Sequence, residues 1–143
     1  MHVKAILNDK GRAVECTSAD SKVVDVVRRL SARRIGAVVV ADASGSVAGI
    51  ISERDIIRVL GMHGTAALDW PVADVMTRRV VTCREHDTVS DIMEVMTDGR
   101  FRHLPVVENG RLVGIVSIGD VVKRHIAEVE SEAIAMRDYI AHA

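Results

Sequence analysis

Two short segments of this chain carry the same pattern of chemically useful side chains. Residues 49–55 read GIISERD and residues 114–120 read GIVSIGD, so both have the spacing Gly-x-x-Ser-x-x-Asp. Each segment stands between a Val/Ile-rich run and an amphipathic run, which is typical of a strand followed by a helix. A hydroxyl, a carboxylate and free backbone N–H groups at a helix start suit a phosphorylated ligand that carries hydroxyl groups.

The same residues also have a simpler interpretation. Ser52 with Asp55, and Ser117 with Asp120, match a capping box, in which the acid returns to the backbone of the serine. The glycines that precede them could mark bulges. Capping alone would suffice for one isolated copy. Two copies in matching positions favour a ligand site, and capping and binding can coexist.

An internal duplication contains both segments. A shift of 66 residues aligns residues 23–42 with 89–108, and after a turn a shift of 65 aligns residues 45–55 with 110–120. The apolar positions keep their phase throughout, which indicates a true repeat. Each copy begins with a short helical lead-in, at residues 3–7 and 72–76, and then follows the predicted order β-α-β-β-α.

The repeat predicts the fold. First strands are expected near residues 14–16 and 80–82, and hairpins join 37–41 to 47–51 and 104–107 to 112–116. We expect an α+β protein in which two β-α-β-β-α repeats pack with pseudo-twofold symmetry and a C-terminal amphipathic helix follows. The expected divisions are residues 1–68, 69–128 and 129–143.

Composition excludes several classes of protein. Aromatic residues make up 2% of the chain and the net charge is −1, so neither base stacking nor a basic surface points to nucleic acid. No apolar run approaches the ~18–20 residues that span a bilayer, and the first residues lead into no signal-like run, so we expect a cytoplasmic protein without membrane contact. Cys16 and Cys83 are then expected as reduced, small hydrophobic residues.

The sequence contains no recognisable catalytic motif. It lacks a phosphate-binding Gly-x-x-x-x-Gly-Lys loop, a Gly-x-Gly-x-x-Gly turn and a nucleophile elbow. Its six histidines show no metal-ligand spacing. Asp55 and Asp120 occupy equivalent places in the two repeats, and we expect them in two different clefts between the repeats. They therefore do not form an obvious acid/base pair. We expect no enzymatic activity, no catalytic cofactor and no metal.

The repeated segments closely resemble a pair of CBS domains, the tandem called a Bateman module. The resemblance is carried by residues 34–40 (RIGAVVV) with 49–55, and by residues 101–107 (FRHLPVV) with 114–120. It covers almost the whole chain. It implies a stand-alone regulatory pair that binds an adenosine-containing ligand: AMP, ADP, ATP, NAD(H) or S-adenosylmethionine.

The resemblance also implies two clefts, each using the Ser-x-x-Asp of one repeat and the first strand and pre-hairpin residues of the other. An aspartate would accept hydrogen bonds from ribose hydroxyls, and apolar strand residues would enclose adenine. The first site would comprise Ser52, Arg54, Asp55, Val80, Val81, Arg102 and His103. The second site would comprise Val14, Glu15, Gly36, Ala37, Ser117, Gly119 and Asp120.

The two predicted sites differ in charge. The first has Arg54, Arg102 and His103, which could neutralise two or more phosphates. The second has Gly119 in place of Arg54 and an added acid, Glu15. We therefore expect polyphosphate ligands at the first site, and a monophosphate, a nucleoside or no ligand at the second.

The C-terminal residues predict an amphipathic helix that continues from about residue 118. Its apolar positions are spaced three and four residues apart. They could pack on the chain's own core or form a homodimer contact. A sensor of this kind would act through its oligomer or through an unidentified effector protein. The alternatives are a protein-interaction module with vestigial nucleotide sites and a nucleotide-processing enzyme. The apolar positions are Ile126, Val129, Ala133, Met136 and Ile140.

Overall fold

The computed structural model describes residues 1–142 and has an α+β fold built from two repeats, as predicted. In the first repeat the elements are α1 (Val3–Lys10), β1 (Cys16–Thr17), α2 (Val23–Arg33), β2 (Ala37–Ala41), β3 (Val47–Ser52) and α3 (Glu53–His63). A 3₁₀ segment, Gly64–Asp69, connects the repeats. In the second repeat a 3₁₀ lead-in (Val72–Asp74) precedes α4 (Val89–Gly99), β4 (His103–Glu108), β5 (Arg111–Ser117) and α5 (Ile118–Ala141).

Both predicted hairpins form, but the first strands differ from the prediction. In the first repeat β1 runs parallel to β2 and comprises only Cys16–Thr17, so Val14 and Glu15 precede it. The predicted strand at residues 80–82 is wrong. Cys83 alone forms a parallel bridge to Val106, and residues 80 and 81 instead line a cleft. The β-α-β-β-α order is therefore complete in the first repeat only.

The helical lead-ins are exchanged between the repeats. Leu7 of α1 is fully buried in the core of the second repeat, against α4, β4, β5 and α5. Val72 and Met76 of the second lead-in are buried in the core of the first repeat. Each core is therefore completed by a segment from the other half of the chain. A repeat of about 60 residues buries little apolar surface alone, so this exchange stabilises both halves.

Buried Cys83 contributes to the core of the second repeat. Burial raises the pKa of its thiol to about 12, with Asp87 and Glu108 acting in the same direction. Such a thiol stays protonated near neutral pH and is a poor nucleophile. Among the described residues, no helix is both long enough and apolar enough to cross a bilayer.

The exchanged lead-ins contact the hairpins at the two motif glycines, Gly49 and Gly114. The strand register shifts beside both glycines, so the predicted bulges are present. A Cβ atom at Gly49 would lie 2.7 Å from the Met76 sulfur and 2.9 Å from the backbone oxygen of Thr77. At Gly114 it would lie 2.7 Å from a methyl group of Leu7.

We predict that Gly49→Ala destabilises the protein more than Gly114→Ala does. The new methyl group at Gly49 meets a backbone carbonyl that cannot rotate away, whereas the Leu7 side chain can change its rotamer. Overpacking of this kind costs about 1–3 kcal/mol. Urea unfolding of the two matched variants measures the difference, and an equal or larger loss for Gly114→Ala would contradict the prediction.

Candidate functional site

Helices α3 and α5 both begin with a complete capping box. The Asp55 carboxylate accepts a hydrogen bond from the Ser52 backbone N–H at 2.9 Å, and the Ser52 hydroxyl accepts one from the Asp55 N–H at 3.4 Å. Ser117 and Asp120 repeat this arrangement, at 2.9 Å and 3.2 Å. The capping interpretation is thus confirmed in both copies. Whether these serine and aspartate side chains also line a cleft depends on the residues around them.

A first cleft of about 300 Å³ lies between the repeats. It brings together all seven residues predicted for the first site. Residues 50–58 of the first repeat form one side, and residues 77–81 and 99–103 of the second form the other. The predicted residues that line it are Ser52, Arg54, Asp55, Val80, Val81, Arg102 and His103.

Asp55 is held from both repeats and is 6% exposed. Its Oδ2 atom caps α3, and its Oδ1 atom accepts a hydrogen bond from the Thr77 hydroxyl at 3.1 Å. Thr77 is fixed in turn by backbone hydrogen bonds with Ile50, at 2.8 and 3.0 Å. The result is a carboxylate and a hydroxyl side by side on the wall of the cleft, one from each repeat.

Thr77 was not predicted as a site residue because it lies just beyond the second lead-in, outside the aligned stretches of the repeats. The available signal was a hydroxyl residue directly after residues 72–76, at the start of an arginine pair.

The first cleft is rich in positive charge. Arg54 donates a hydrogen bond to the backbone oxygen of Arg100 at 3.0 Å, which links the start of α3 to the end of α4. Guanidinium groups bind phosphate through paired N–H donors, so their number favours an anionic ligand. Two of these arginines, Arg54 and Arg102, were predicted from the sequence. The arginines that line the cleft are Arg54, Arg58, Arg79, Arg100 and Arg102.

One aromatic ring also borders this cleft and was not predicted. Phe101 lies over the backbone at the end of α4, where a Cβ atom on Gly99 would come within 2.1 Å of the ring. Arg100, between them, has a left-handed backbone with φ of 57°. Together with Val80 and Val81, the ring gives the cleft an apolar portion beside its charged one.

Gly36, Glu53 and His103 form a partition, because these three residues line both the first cleft and a second one. A Cβ atom on Gly36 would lie 2.6 Å from the Glu53 carboxylate and 2.9 Å from the His103 ring. Burial lowers the pKa of His103; Glu53 opposes this, while Lys10 and Arg102 add to it. The imidazole therefore favours its neutral form.

The second predicted site does not form a single cavity. Val14, Glu15, Gly36, Ala37 and Ser117 line a cavity of about 410 Å³. Asp120 lines a separate cavity of about 140 Å³. Gly119 lines neither of them. The structure therefore does not gather the seven residues in one cavity, and the second site stays a prediction.

Lys10 lies between these two cavities, because it lines both of them. Its ammonium group lies 2.6 Å from Asp120 Oδ2 and 3.1 Å from the backbone oxygen of Ile115. Burial tends to raise the pKa of Asp120, but hydrogen bonds from Lys10 and Ser117 outweigh it and hold the pKa below its ordinary value. Sequence reasoning missed Lys10 because α1 extends beyond the predicted lead-in.

The added acid of the second site is already neutralised. Glu15 accepts a hydrogen bond from Arg29 at 2.5 Å and lies 3.6 Å from Arg33. The Arg29 hydrogen bond lowers the pKa of Glu15, and the nearby charge of Arg33 lowers it further. Across residues 1–142, no group of three or more histidine, cysteine or acidic side chains is arranged to hold a metal ion.

This architecture, with exchanged lead-ins and clefts between two α+β repeats, matches a known family. The family model described as "CBS domain" matches twice, over residues 4–61 and 72–126. The chain therefore belongs to the CBS-domain family and contains a tandem pair of these domains. The resemblance inferred from the repeated motifs is confirmed.

Known proteins support the same assignment. A CBS-domain containing protein from Agrobacterium tumefaciens is 49% identical, with a TM-score of 0.83 over 85% of this chain and 91% of its own. The mitochondrial CBS domain-containing protein CBSX3 of Arabidopsis thaliana is 33% identical over 96% of this chain and 71% of its own length.

Two similar structures have been solved with adenosine-containing ligands. A CBS domain protein from Pyrobaculum aerophilum, complexed with AMP, is 27% identical, with a TM-score of 0.74 over 84% of this chain and 89% of its own. The CBS domain pair of protein MJ0100, in complex with 5′-methylthioadenosine and S-adenosyl-L-methionine, is 25% identical, with a TM-score of 0.78 over 87% of this chain and 99% of its own.

We predict that Asp55→Ala destabilises the protein by about 1–2 kcal/mol, as expected for loss of a helix cap. The variant leaves the Ser52 N–H and the Thr77 hydroxyl without their acceptor in a buried setting. Asp120→Ala is the matched control, and it should lose less because its side chain is 26% exposed. Urea unfolding tests this, and a larger loss for Asp120→Ala would contradict it.

Proposed function

We propose that this protein is a regulatory module that binds an adenosine-containing nucleotide in the first cleft. The proposal rests on one observation: both repeats form a single cavity that is lined by Asp55, Thr77 and five arginines. The ligands of the two solved relatives point to the same class of molecule. AMP, ADP, ATP, NAD(H) and S-adenosylmethionine are the candidates.

Each part of such a ligand has a counterpart in the first cleft. The Asp55 carboxylate can accept hydrogen bonds from ribose hydroxyls, and the Thr77 hydroxyl beside it can donate or accept. Phe101, Val80 and Val81 offer the apolar surface that an adenine ring needs. The arginines provide donors for phosphate oxygens. A volume near 300 Å³ is at the lower end of the range for small-molecule sites.

The charge of the first cleft favours phosphorylated ligands over S-adenosylmethionine. S-adenosylmethionine has no phosphate and carries a sulfonium cation, which five arginines would repel. AMP, ADP, ATP and NAD(H) all bring negative charge to the same region. We therefore propose the phosphorylated ligands as the physiological class, with ADP and ATP able to engage more of the arginines than AMP.

The proposed role is regulation without catalysis. His103 borders the cleft in a setting that favours its neutral form, and the two hydroxyls that line the cavity, those of Ser52 and Thr77, are both bonded to the Asp55 carboxylate. Ligand contacts that span two repeats bias how the repeats pack, which is a population shift between arrangements. Incubation with ATP followed by chromatography tests for turnover, and release of ADP or AMP at a steady rate would overturn this part.

We further propose that the protein forms a homodimer through one face of α5, which we call the seam. Its residues repeat at spacings of four and three, as in a coiled coil. Only Val121 of this helix is buried, so the seam does not pack on the chain's own core. The five larger side chains are between 38% and 67% exposed. The seam residues are Val122, Ile126, Val129, Ala133, Met136 and Ile140.

The charges that flank the seam suit a second copy of the same chain. In a parallel coiled coil, a residue that flanks the seam on one helix lies beside the residue five positions further along the partner helix. Glu132 would then face Arg137, and His125 would face Glu130, so acids meet basic groups on both sides. Two copies therefore satisfy both the apolar and the charged requirements of this surface.

We predict that a phosphorylated adenosine ligand raises the unfolding temperature. At 100 times its dissociation constant a ligand stabilises the folded state by about 2.7 kcal/mol. Asp55→Asn should weaken binding by about 10- to 100-fold, since it removes a charged acceptor worth roughly 1.5–3 kcal/mol. Thermal unfolding and isothermal titration calorimetry with AMP, ADP, ATP, NAD, NADH and S-adenosylmethionine measure this.

Asp120→Asn is the control for this experiment and should leave nucleotide affinity unchanged. No stabilisation by any of the six ligands would overturn the proposed function and favour an interaction module with vestigial sites.

We predict that Val129→Glu converts the dimer into a monomer, because it places a charge in the apolar seam of both chains. Ile134→Glu is the matched control: Ile134 is 56% exposed and lies off the seam, so its variant should remain dimeric. Sedimentation equilibrium gives the masses. A monomeric parent protein, or dissociation by Ile134→Glu alone, would rule out this dimer.

A further inference from the structure

The second cleft contains a cation supplied by the protein itself. Lys10 is the last residue of α1, and its ammonium group bonds Asp120 at 2.6 Å and the carbonyl of Ile115 at 3.1 Å. These two contacts join α1 to the end of β5 and the start of α5. Asp120 corresponds to Asp55 in the repeat. Lys10 therefore bonds the carboxylate whose counterpart in the first cleft is the proposed ligand-binding group.

Lys10 also divides the space around Asp120. The cavity that Asp120 lines holds only about 140 Å³, below the range of about 300–1,000 Å³ for small-molecule sites. The adjoining cavity of about 410 Å³ is large enough but is not lined by Asp120. A nucleotide in the larger cavity would therefore meet Lys10 before its ribose reached the carboxylate.

In the first cleft no cation from a lead-in bonds the corresponding carboxylate; the cation beside Asp55 is Arg58 of α3 itself, whose exposed guanidinium lies 3.7 Å from Asp55 Oδ1. The residue that contacts Asp55 from the other lead-in is Thr77, whose hydroxyl is neutral and can exchange partners with a ribose hydroxyl. The difference comes from the lead-ins themselves. The second lead-in is helical only over Val72–Asp74, whereas α1 continues to Lys10 and carries the lysine to Asp120.

We propose that Lys10 excludes ribose from the second cleft by occupying Asp120, so that each chain binds one nucleotide, in the first cleft. The inference rests on the proposed function, because it concerns the same class of ligand. The ammonium group bonds Asp120 Oδ2, the oxygen that also accepts the Ser117 N–H, so a ribose hydroxyl would have to approach the same carboxylate beside a bound cation. Because the Lys10 and Asp120 side chains are 34% and 26% exposed, solvent weakens their attraction, and the exclusion is a matter of affinity.

The test is the stoichiometry of AMP binding by isothermal titration calorimetry. The parent protein should bind one AMP per chain. Lys10→Ala should bind two, with the second site tightened by about 10-fold or more. Lys123→Ala is the matched control, because Lys123 lines the same small cavity from α5, and this variant should still bind one. Circular dichroism checks the fold, and Lys10→Gln, which keeps most of the side chain's length, should behave like Lys10→Ala.

Two further variants locate the sites. Asp120→Asn in the Lys10→Ala background should return the stoichiometry to one, and Asp55→Asn in that background should leave the newly opened site. Two AMP molecules on the parent protein, or one on both Lys10 variants, would overturn the inference. Loss of AMP binding when Lys10 is substituted would also overturn the inference, since Lys10 would then be helping to bind the phosphate.

The experiment separates this inference from the proposed function. If the parent protein binds none of the six ligands but Lys10→Ala binds one AMP that Asp120→Asn abolishes, the role of Lys10 stands and the function proposed for the first cleft fails. If neither protein binds any of the six ligands, both fail.

Discussion

The hydrogen bond from the Ser52 backbone to the Asp55 carboxylate is the constraint on which the first cleft depends. It fixes one carboxylate oxygen at the start of α3, so the other oxygen has a defined direction and reaches the Thr77 hydroxyl of the second repeat. The same side chain therefore caps a helix of one repeat and bonds a residue of the other. Capping and ligand binding are not competing explanations of this motif, because the cap is what gives the binding group its position.

The exchanged lead-ins make the two repeats mechanically dependent on each other. Leu7 lies against Gly114 in the second repeat, and Met76 lies against Gly49 in the first. Both glycines lie three residues before the capping serines, so each lead-in contacts the hairpin that ends at a cleft. A ligand that bridges the repeats at Asp55 and Arg102 therefore acts on a unit in which neither half can shift without disturbing the core of the other.

The parts of the fold that follow from local sequence could be predicted, and the parts that follow from the exchange could not. The hairpins and the helix starts at Ser52 and Ser117 come from alternating apolar residues, capping chemistry and the repeat. The placement of Asp55 with Arg102 and His103 was implied by the resemblance to CBS pairs. Thr77 and Lys10 lie in lead-ins of different length, where the alignment gives no guide. The strand expected at residues 80–82 failed because its valines line the cleft, and apolar character alone does not distinguish a strand from the wall of a site.

Duplication followed by divergence has left two equivalent carboxylates with different neighbours, and the neighbours determine what each one can do. Thr77 leaves Asp55 beside an open cavity, whereas Lys10 ties Asp120 to α1. Arg124 strengthens the same attachment, because it bonds the Ala5 carbonyl at 2.9 Å and pairs with Asp9. The first turns of α5 are thus fastened to α1, while residues 129–142 of the same chain segment are exposed. A rotation of the second repeat would therefore carry the exposed portion of α5 with it. Gly36, Glu53 and His103 line both clefts, so a nucleotide bound in the first cleft would contact residues that also border the cavity beside the attached end of α5.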